Sequence, residues 1–311
     1  MRKSYGEIIL FIAGVSVGWN LKSTKKPQDN NKDAAQQVLN APWYTDIILQ
    51  GDMWDGKEPL GSAARPCVWK NISFFGDNPS AALHTVEMCL DNNHNDTRHV
   101  IYCEEAWGAA QEMTDGIVVN VGSDFGMCVL RMLVTTSNKI IAVEPHPIKL
   151  FHLTSTLLKL DLKLRERVVV LPMAAGSRDD TVLFFTGKHN YGSMHNVSEE
   201  FQDESTEVPI HRLDSVFSST AQSIGLLRIN TGGMTCDVLQ GLHGLKVDSL
   251  LFETRDWAAC SKSELRHQWV QTTLSMGFKI DLEKNCLEEK WPRGKDKLVC
   301  SATNTPPTLP S

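Results

Sequence analysis

The sequence predicts an α/β fold, a doubly wound and mostly parallel sheet of seven strands with an irregular N-terminal extension. From Gly116 onward, short apolar runs alternate with segments of helical periodicity, which is typical of parallel strands joined by crossover helices. The first of these runs leads into a glycine-containing turn, and a helical pattern follows at once. Between residues 41 and 111, four tryptophans lie among Gly and Pro with little periodicity, and we expect an irregular cap region there.

The predicted strands are apolar runs of four or five residues, most of them separated by a helical segment. In the cap region only Ser80–Leu90 has a helical pattern. Together the elements fit one α/β domain. The predicted strands are Ile117–Val121, Ile140–Glu144, Val168–Leu171, Leu226–Asn230, Ser249–Glu253, Phe278–Asp281 and Leu298–Ser301. The predicted crossover helices are Met127–Thr135, Ile148–Leu160, Thr235–His243 and Ser261–Met276.

Length and composition restrict the class of protein. A chain of 311 residues forms one large domain or two small ones, and 41% hydrophobic with 22% charged residues is ordinary globular usage. The 31 Lys and Arg against 37 Asp and Glu give a formal net charge of −6. Because no global basic field is present to attract phosphates, nucleic acid is disfavoured as a partner.

The N-terminal segment predicts a role at a membrane. A basic start precedes an apolar run, Ile8–Trp19, that is shorter than the roughly 20 residues of a typical membrane-spanning helix. A signal peptide, a signal anchor and a plain amphipathic helix all remain open. We favour a single-pass N-terminal anchor, for which the lumen or the secretory pathway is one possible location, with secretion after signal cleavage as the alternative. The predicted organisation is residues 1–22 as anchor or signal, 23–40 as polar linker, 41–111 as cap region, 112–302 as the α/β domain and 303–311 as a disordered tail.

Eight cysteines and three glycosylation sequons leave the compartment undecided. No two cysteines have the spacing of a zinc or thioredoxin-like site, so no metal is predicted. Disulfides and buried free thiols are both possible. The sequons begin at Asn71, Asn95 and Asn196, and a chain of this composition yields about two by chance. They therefore indicate no location.

The glycine turn after the first strand predicts a cofactor site. Gly122 lets the chain turn tightly off the strand, and Gly126 lets the following helix approach the sheet closely. Glu144 ends the second strand, where an acid can accept both hydroxyls of a ribose. Position 124 is Asp where a dinucleotide fingerprint requires Gly, and its charge opposes a pyrophosphate. It suits a cofactor with a positive centre, such as S-adenosylmethionine, and disfavours a nicotinamide dehydrogenase.

The segment Val118–Leu130, taken with Glu144-Pro145-His146-Pro147, resembles the FkbM family of S-adenosylmethionine-dependent methyltransferases. The family's Lys-Ile-Asp-Val-Glu-Gly element corresponds to Arg228–Gly233, and its Val-Leu-x-Gly helix to Val238–Gly241. The resemblance covers roughly residues 116–281 in family order. Further matching pieces are Leu171–Gly176, Val208–Phe217 and Leu250–Glu253.

The resemblance implies a class I methyltransferase fold that binds S-adenosylmethionine and methylates a hydroxyl of a small molecule or glycan. The glycine turn, the acid at position 144 and the family resemblance together predict a set of cofactor-binding residues. These are Asn120, Gly122, Ser123, Asp124, Gly126, Glu144, Pro145 and Ala174.

Departures from the family pattern affect the expected chemistry. Asn120 replaces an acid at the start of the loop, and Asn230 and Gly232 replace the Asp and Glu after the fourth strand. An amide cannot take a hydroxyl proton, so either another residue is the base or the chain is a catalytically silent, membrane-tethered binding protein. A nucleotide-sugar-binding transferase is a third interpretation.

The candidate catalytic residues are His195, Glu253 and Asn230, with His146 as a further candidate base. His195 is favoured because an unperturbed imidazole titrates near neutral pH and its segment is polar. No Ser-His-Asp order is recognisable, which disfavours hydrolase chemistry.

Overall fold

A sheet of seven strands organises the structure, a computed structural model. It describes residues 53–74, 84–91, 103, 110, 116–186, 205–217, 223–231, 234–243, 245–255, 286–290 and 296–303, the last two ranges and 253–255 as backbone only. The strands are β1 (Val68–Phe74), β2 (His84–Leu90), β3 (Ile117–Val121), β4 (Lys139–Val143), β5 (Val168–Leu171), β6 (Ala174–Ala175), β7 (Asp180–Phe185), β8 (Ser205–His211), β9 (Ile224–Ile229), β10 (Val247–Arg255), β11 (Cys286–Lys290) and β12 (Asp296–Thr303). The helices are α1 (Met127–Thr135), α2 (Pro147–Lys159), α3 (Leu162–Arg165), α4 (Leu213–Val216) and α5 (Thr235–Gln240).

The strand order of the central sheet is β11-β12-β10-β9-β3-β4-β5. The five strands from β10 to β5 are parallel, and β12 runs antiparallel to both of its neighbours. The predicted doubly wound, mostly parallel sheet is thereby confirmed. The chain moves outward from β3 to β5 on one side and from β9 to β10 on the other, so the carboxyl ends of β3 and β9 meet at the point where ligands bind in such sheets.

Local periodicity predicted the elements around this point closely. The strand β3 and the helix α1 have the predicted bounds, and α2 begins and ends one residue earlier than predicted. Helix α5 ends three residues early, where the Gly241 N–H donates to the Val238 carbonyl. Strand β11 was not predicted because its sequence, Cys-Leu-Glu-Glu-Lys, has no apolar run. The predicted elements Phe278–Asp281 and Ser261–Met276 lie outside the described residues.

The helix predicted over Ser80–Leu90 is wrong. Its described part, His84–Leu90, is strand β2, which pairs antiparallel with β1. Val86, Met88 and Leu90 are buried while Glu87 is exposed, a two-residue alternation that places the apolar side chains on one face of a strand. Burial against the domain therefore favours the strand.

The cap region packs against the α/β domain. One face of the β1–β2 hairpin shares a hydrophobic cluster with α1 and α2. The Cys89 N–H donates to the Thr156 hydroxyl on α2 at 2.9 Å. Disulfides join Cys67 to Cys89 and Cys103 to Cys128, the second of which ties the cap region to the first turn of α1. Cys236 is also disulfide-bonded, so every cysteine with a described side chain is oxidised.

A second sheet, with strand order β6-β8-β7, lies between β5 and β9 in the chain and was not predicted. Its small apolar cluster contains Ala174, Phe184, Val208 and Ile210. The predicted anchor and linker, residues 1–22 and 23–40, lie outside the described residues. Of the predicted disordered tail, 303–311, the structure describes only Thr303, which is the last residue of strand β12. None of the helices that the structure describes is long and apolar enough to cross a bilayer.

Candidate functional site

The loop between β3 and α1 turns through three residues with left-handed backbone. Gly122 has φ 77°, Asp124 has φ 54° and Gly126 has φ 88°. Asp124 is a non-glycine residue in this region, which is uncommon and often marks a functional turn. The N–H groups of Gly122 and Ser123 both donate to the Val143 carbonyl, at 2.9 and 3.1 Å. The loop is thus fastened to the end of β4.

Both glycines of the loop are required by close approaches. A Cβ at Gly122 would lie 2.0 Å from the backbone oxygen of Asn230, and the Asn230 N–H donates to the Val121 carbonyl at 2.9 Å. A Cβ at Gly126 would lie 2.3 Å from Cδ1 of Leu153 on α2. The sequence predicted a tight turn at Gly122, and the structure has it. At Gly126 the sequence predicted close packing of the following helix on the sheet, whereas the close approach in the structure is to helix α2.

Asn120 holds the loop from the buried side. Its Nδ2 donates to the Ser123 hydroxyl at 3.1 Å, and that hydroxyl donates to the Asn120 carbonyl at 2.9 Å. Arg228 on β9 donates to Asn120 Oδ1 at 2.9 Å. Asn120, Ser123 and Arg228 are all buried. Asn120 and Ser123, both predicted cofactor ligands, therefore direct their side chains into a network that shapes the loop.

Glu144 follows β4 and is only 3% exposed. Its Oε2 accepts the Asp124 N–H at 2.7 Å, and its Oε1 accepts the His146 N–H at 3.0 Å. Burial raises the pKa of the Glu144 carboxyl, and the nearby Lys149 ammonium opposes that shift. Each carboxylate oxygen accepts about two hydrogen bonds, so one further donor per oxygen can be accommodated.

Asp124 presents its carboxylate at the surface of the loop. Its Oδ1 lies 2.9 Å from Lys149 Nζ, and its side chain is 39% exposed. Asp124 is thus linked by its backbone N–H to Glu144 and by its side chain to Lys149 on α2. Lys149 was not predicted as part of the site, since 25 residues separate it from Asp124 and no sequence pattern relates the two.

His146 caps the N-terminus of α2. Its Nδ1 accepts the Ile148 N–H at 3.2 Å, and its ring meets Phe184 of the second sheet edge-on at 5.8 Å. Burial lowers the pKa of His146 to about 3. The imidazole is neutral near pH 7 and its lone-pair nitrogen is already used, so His146 does not fit the role of base.

The lowered pKa of His146 predicts a loss of stability in mild acid. The unfolded chain takes up a proton on this residue below about pH 6.5, whereas the folded chain does so only near pH 3. We expect its contribution to the free energy of unfolding to fall by about 2 kcal/mol between pH 7 and pH 5. Urea denaturation at both pH values measures this. His146→Asn keeps a capping acceptor without a titrating group and should lose that part of the pH dependence; an equal dependence in the variant would contradict the assignment.

The predicted catalytic residues are only partly described. Asn230 is half-buried beside the loop, and the register Phe252–Ile229 places Glu253 level with Asn230 at the carboxyl edge. Of Glu253 the structure describes the backbone alone, and His195 and Gly232 lie outside the described residues. Ala174, a predicted cofactor ligand, is buried in β6. Pro145 is half-buried after Glu144.

Thr231 is a residue that the sequence did not single out. It follows Asn230 at the end of β9, and its hydroxyl oxygen is buried with no hydrogen-bond partner among the described residues. A threonine after a buried strand carries no distinguishing sequence signal. No group of three potential metal ligands occurs in the described part of the chain.

Residues 117–280, more than half of the chain, match the family described as the methyltransferase FkbM domain. The chain belongs to this family. The FkbM match spans β3 to beyond β10 and contains the glycine loop, Glu144 and Asn230. The cap region lies outside it.

Two solved structures with low sequence identity are similar to this FkbM chain. TYW2 of P. horikoshii, solved in complex with MeSAdo, is 14% identical, with 76% of this chain and 72% of that chain covered and a TM-score of 0.43. Trm5b from Pyrococcus abyssi is 10% identical, with 76% and 63% covered and a TM-score of 0.43. No curated protein matches the FkbM chain. At these identities, likeness concerns the fold and not the substrate.

Proposed function

We propose that the chain binds S-adenosylmethionine at the carboxyl ends of β3 and β4 and methylates a hydroxyl of a small molecule or glycan. One observation carries the proposal: the Asp124 N–H donates to the Glu144 carboxylate at 2.7 Å, which joins the glycine loop to the acid that ends the second parallel strand. Membership of the FkbM family supports the same cofactor and reaction class.

The polar side chains around the glycine loop fit the chemistry of this cofactor. The Asp124 carboxylate is partly exposed and can attract an ammonium or sulfonium group, although Lys149 already offsets part of its charge. Glu144 retains acceptor capacity for two ribose hydroxyls. The Thr231 hydroxyl at the end of β9 has no partner among the described residues and can bond to a ligand at that edge.

When bound, S-adenosylmethionine supplies an electrophilic methyl group on a positively charged sulfur. The chain must then align the acceptor hydroxyl and accept its proton. The half-buried Asn230 amide can orient that hydroxyl by a hydrogen bond but cannot take a proton. Glu144 accepts two backbone N–H groups and its remaining acceptor capacity is assigned to the ribose hydroxyls, and His146 is neutral with its lone pair in use. His195 and Glu253 therefore remain our proposed bases, with His195 preferred because histidine is the side chain whose unperturbed form titrates near neutral pH.

We expect Asp124→Asn to raise the dissociation constant for S-adenosylmethionine about tenfold, because the site loses its partly exposed negative charge. Isothermal titration of the full chain with S-adenosylmethionine and with its demethylated product measures this. Asp180→Asn is the matched control, since Asp180 is an exposed acid on β7 that pairs with Arg178 at 3.3 Å. Absence of binding to the parent chain at millimolar cofactor would contradict the proposal. Binding of nucleotide diphosphates instead would support the transferase alternative.

A second candidate function is a catalytically silent binding protein, favoured by Asn230 at the position of a family acid. Labelled cofactor supplied to an extract with the full chain separates the two. Methylation that falls at least tenfold in His195→Ala supports the enzyme with His195 as base. Methylation by the Asn230→Asp, Gly232→Glu double variant alone would identify the natural chain as silent.

A further inference from the structure

The outward face of the β1–β2 hairpin carries an accessible asparagine. Along β1, Trp69 is 36% exposed, Asn71 is exposed and Ser73 lies on the same face, because alternate residues of a strand point to the same side. Ile72 and Phe74 point to the opposite side, into the cluster shared with α1 and α2. A large substituent on the Asn71 amide would therefore extend into solvent without disturbing the core.

The residues across the strand pair are exposed, and α2 reaches this face with one side chain: Lys159 pairs with Glu87 at 2.7 Å and its Nζ lies 3.5 Å from the centroid of the Trp69 ring. Asn71 lies opposite Glu87, which is exposed, and Ser73 lies opposite Thr85, which is also exposed. The Ser73 and Thr85 hydroxyls are 3.1 Å apart at the surface. The extended backbone places the Asn71 amide and the Ser73 hydroxyl side by side on one face, the two groups by which an Asn-x-Ser acceptor is recognised.

The same hairpin carries independent evidence of an oxidising compartment. The disulfide Cys67–Cys89 joins the residue before β1 to β2, and Cys103–Cys128 joins the cap region to α1. Cys236 is disulfide-bonded as well. Disulfides persist in oxidising compartments, which include the secretory pathway where asparagine-linked glycans are added, and they are rare in the cytosol.

We propose that Asn71 carries an asparagine-linked glycan. The co-substrate is an oligosaccharide linked to a lipid pyrophosphate. A bond forms between Asn71 Nδ2 and C1 of the first sugar, the bond between C1 and the pyrophosphate oxygen breaks, the amide loses one proton, and the lipid pyrophosphate leaves. The assignment of the glycan to Asn71 rests on the exposure of its side chain and on the disulfide-bonded cysteines. The three-residue sequon by itself shows neither.

The test expresses the full chain in a eukaryotic secretory cell with Asn95→Gln and Asn196→Gln, so that Asn71 is the one sequon left. We expect a single glycan, removed by peptide N-glycosidase and mapped to Asn71 by mass spectrometry, with Cys67 and Cys89 joined in a disulfide. Ser73→Ala should abolish the glycan and Ser73→Thr, the matched control, should keep it.

Two results would overturn the proposal. One is a parent chain whose Asn71 peptide is unmodified although its disulfides have formed. The other is a parent chain whose Cys67 and Cys89 are free thiols in cells, which would place it in a reducing compartment. Because both are read on peptides of the parent chain, they do not depend on the folding of any Ser73 variant.

Discussion

Gly122→Ala is expected to reduce the free energy of unfolding by at least about 4 kcal/mol, a large share of a typical total of about 5–15 kcal/mol. The new Cβ would lie 2.0 Å from the Asn230 oxygen and 2.8 Å from its carbonyl carbon. Both atoms are backbone at the end of β9, held by the hydrogen bond from Asn230 N–H to Val121. The strands cannot separate without breaking the pairing in the middle of the sheet, and the left-handed φ of 77° adds about 1–2 kcal/mol of strain.

Gly126→Ala is the matched control for this prediction. Its φ of 88° imposes similar backbone strain, but its Cβ would meet Cδ1 of Leu153 at 2.3 Å, the end of a side chain that can rotate. We expect a smaller loss of about 1–3 kcal/mol. Urea denaturation of the parent and both variants, followed by circular dichroism, measures the difference. Equal losses, or a Gly122 variant as stable as the parent, would show that β3 and β9 are less closely fixed than the structure has them.

Glu144→Ala is expected to weaken both the loop and the proposed cofactor site. The carboxylate is the acceptor for the backbone N–H groups of Asp124 and His146, and each buried donor left unpaired costs about 1–3 kcal/mol. Loss of the ribose acceptors should weaken S-adenosylmethionine binding by about 1.5–3 kcal/mol. Glu144→Gln should be intermediate in stability, because its amide oxygen can accept one N–H while its NH2 group faces the other donor.

The raised pKa of Glu144 determines whether its contribution to the free energy of unfolding rises or falls with pH. Between the ordinary carboxyl pKa of 4.5 and its raised value, the folded chain holds the proton that the unfolded chain has lost. This contribution to stability is present below pH 4.5 and is lost as the pH rises through the folded pKa. Glu144→Gln should remove that dependence, which opposes the one expected for His146.

Urea denaturation across pH and isothermal titration with S-adenosylmethionine measure these effects. Glu87→Ala is the matched control: Glu87 is an exposed acid that pairs with Lys159 at 2.7 Å, and its loss should cost no more than about 1 kcal/mol. If Glu144→Ala were as stable as Glu87→Ala and bound the cofactor as tightly as the parent, Glu144 would be neither the anchor of the loop nor a ribose acceptor.

Local sequence signals located the central elements because their formation depends on nearby residues. The run Ile117–Val121 is apolar except for Asn120, and the strand it forms is buried on both faces by the crossover helices. Helix α1 begins immediately after Gly126, as the turn predicted. The hairpin was missed because the alternation of Val86, Met88 and Leu90 covers one short segment, and the contacts that favour a strand there, the pairing with β1 and the packing on α2, join residues distant in the chain.

The sequence by itself determined the α/β class, the glycine loop after the first parallel strand and the acid at the end of the second. Only the tertiary structure determined which hydrogen bonds and ion pairs the side chains of the loop and of the acid make, and how deeply they are buried. Lys149 approaches Asp124 across 25 residues, both oxygens of Glu144 are engaged by backbone N–H groups, and His146 is too buried to act as a base. The physical reason is that the spacing of apolar residues is a property of the local sequence. Hydrogen-bond partners and pKa values instead depend on burial and on charges from segments that come together only in the folded protein.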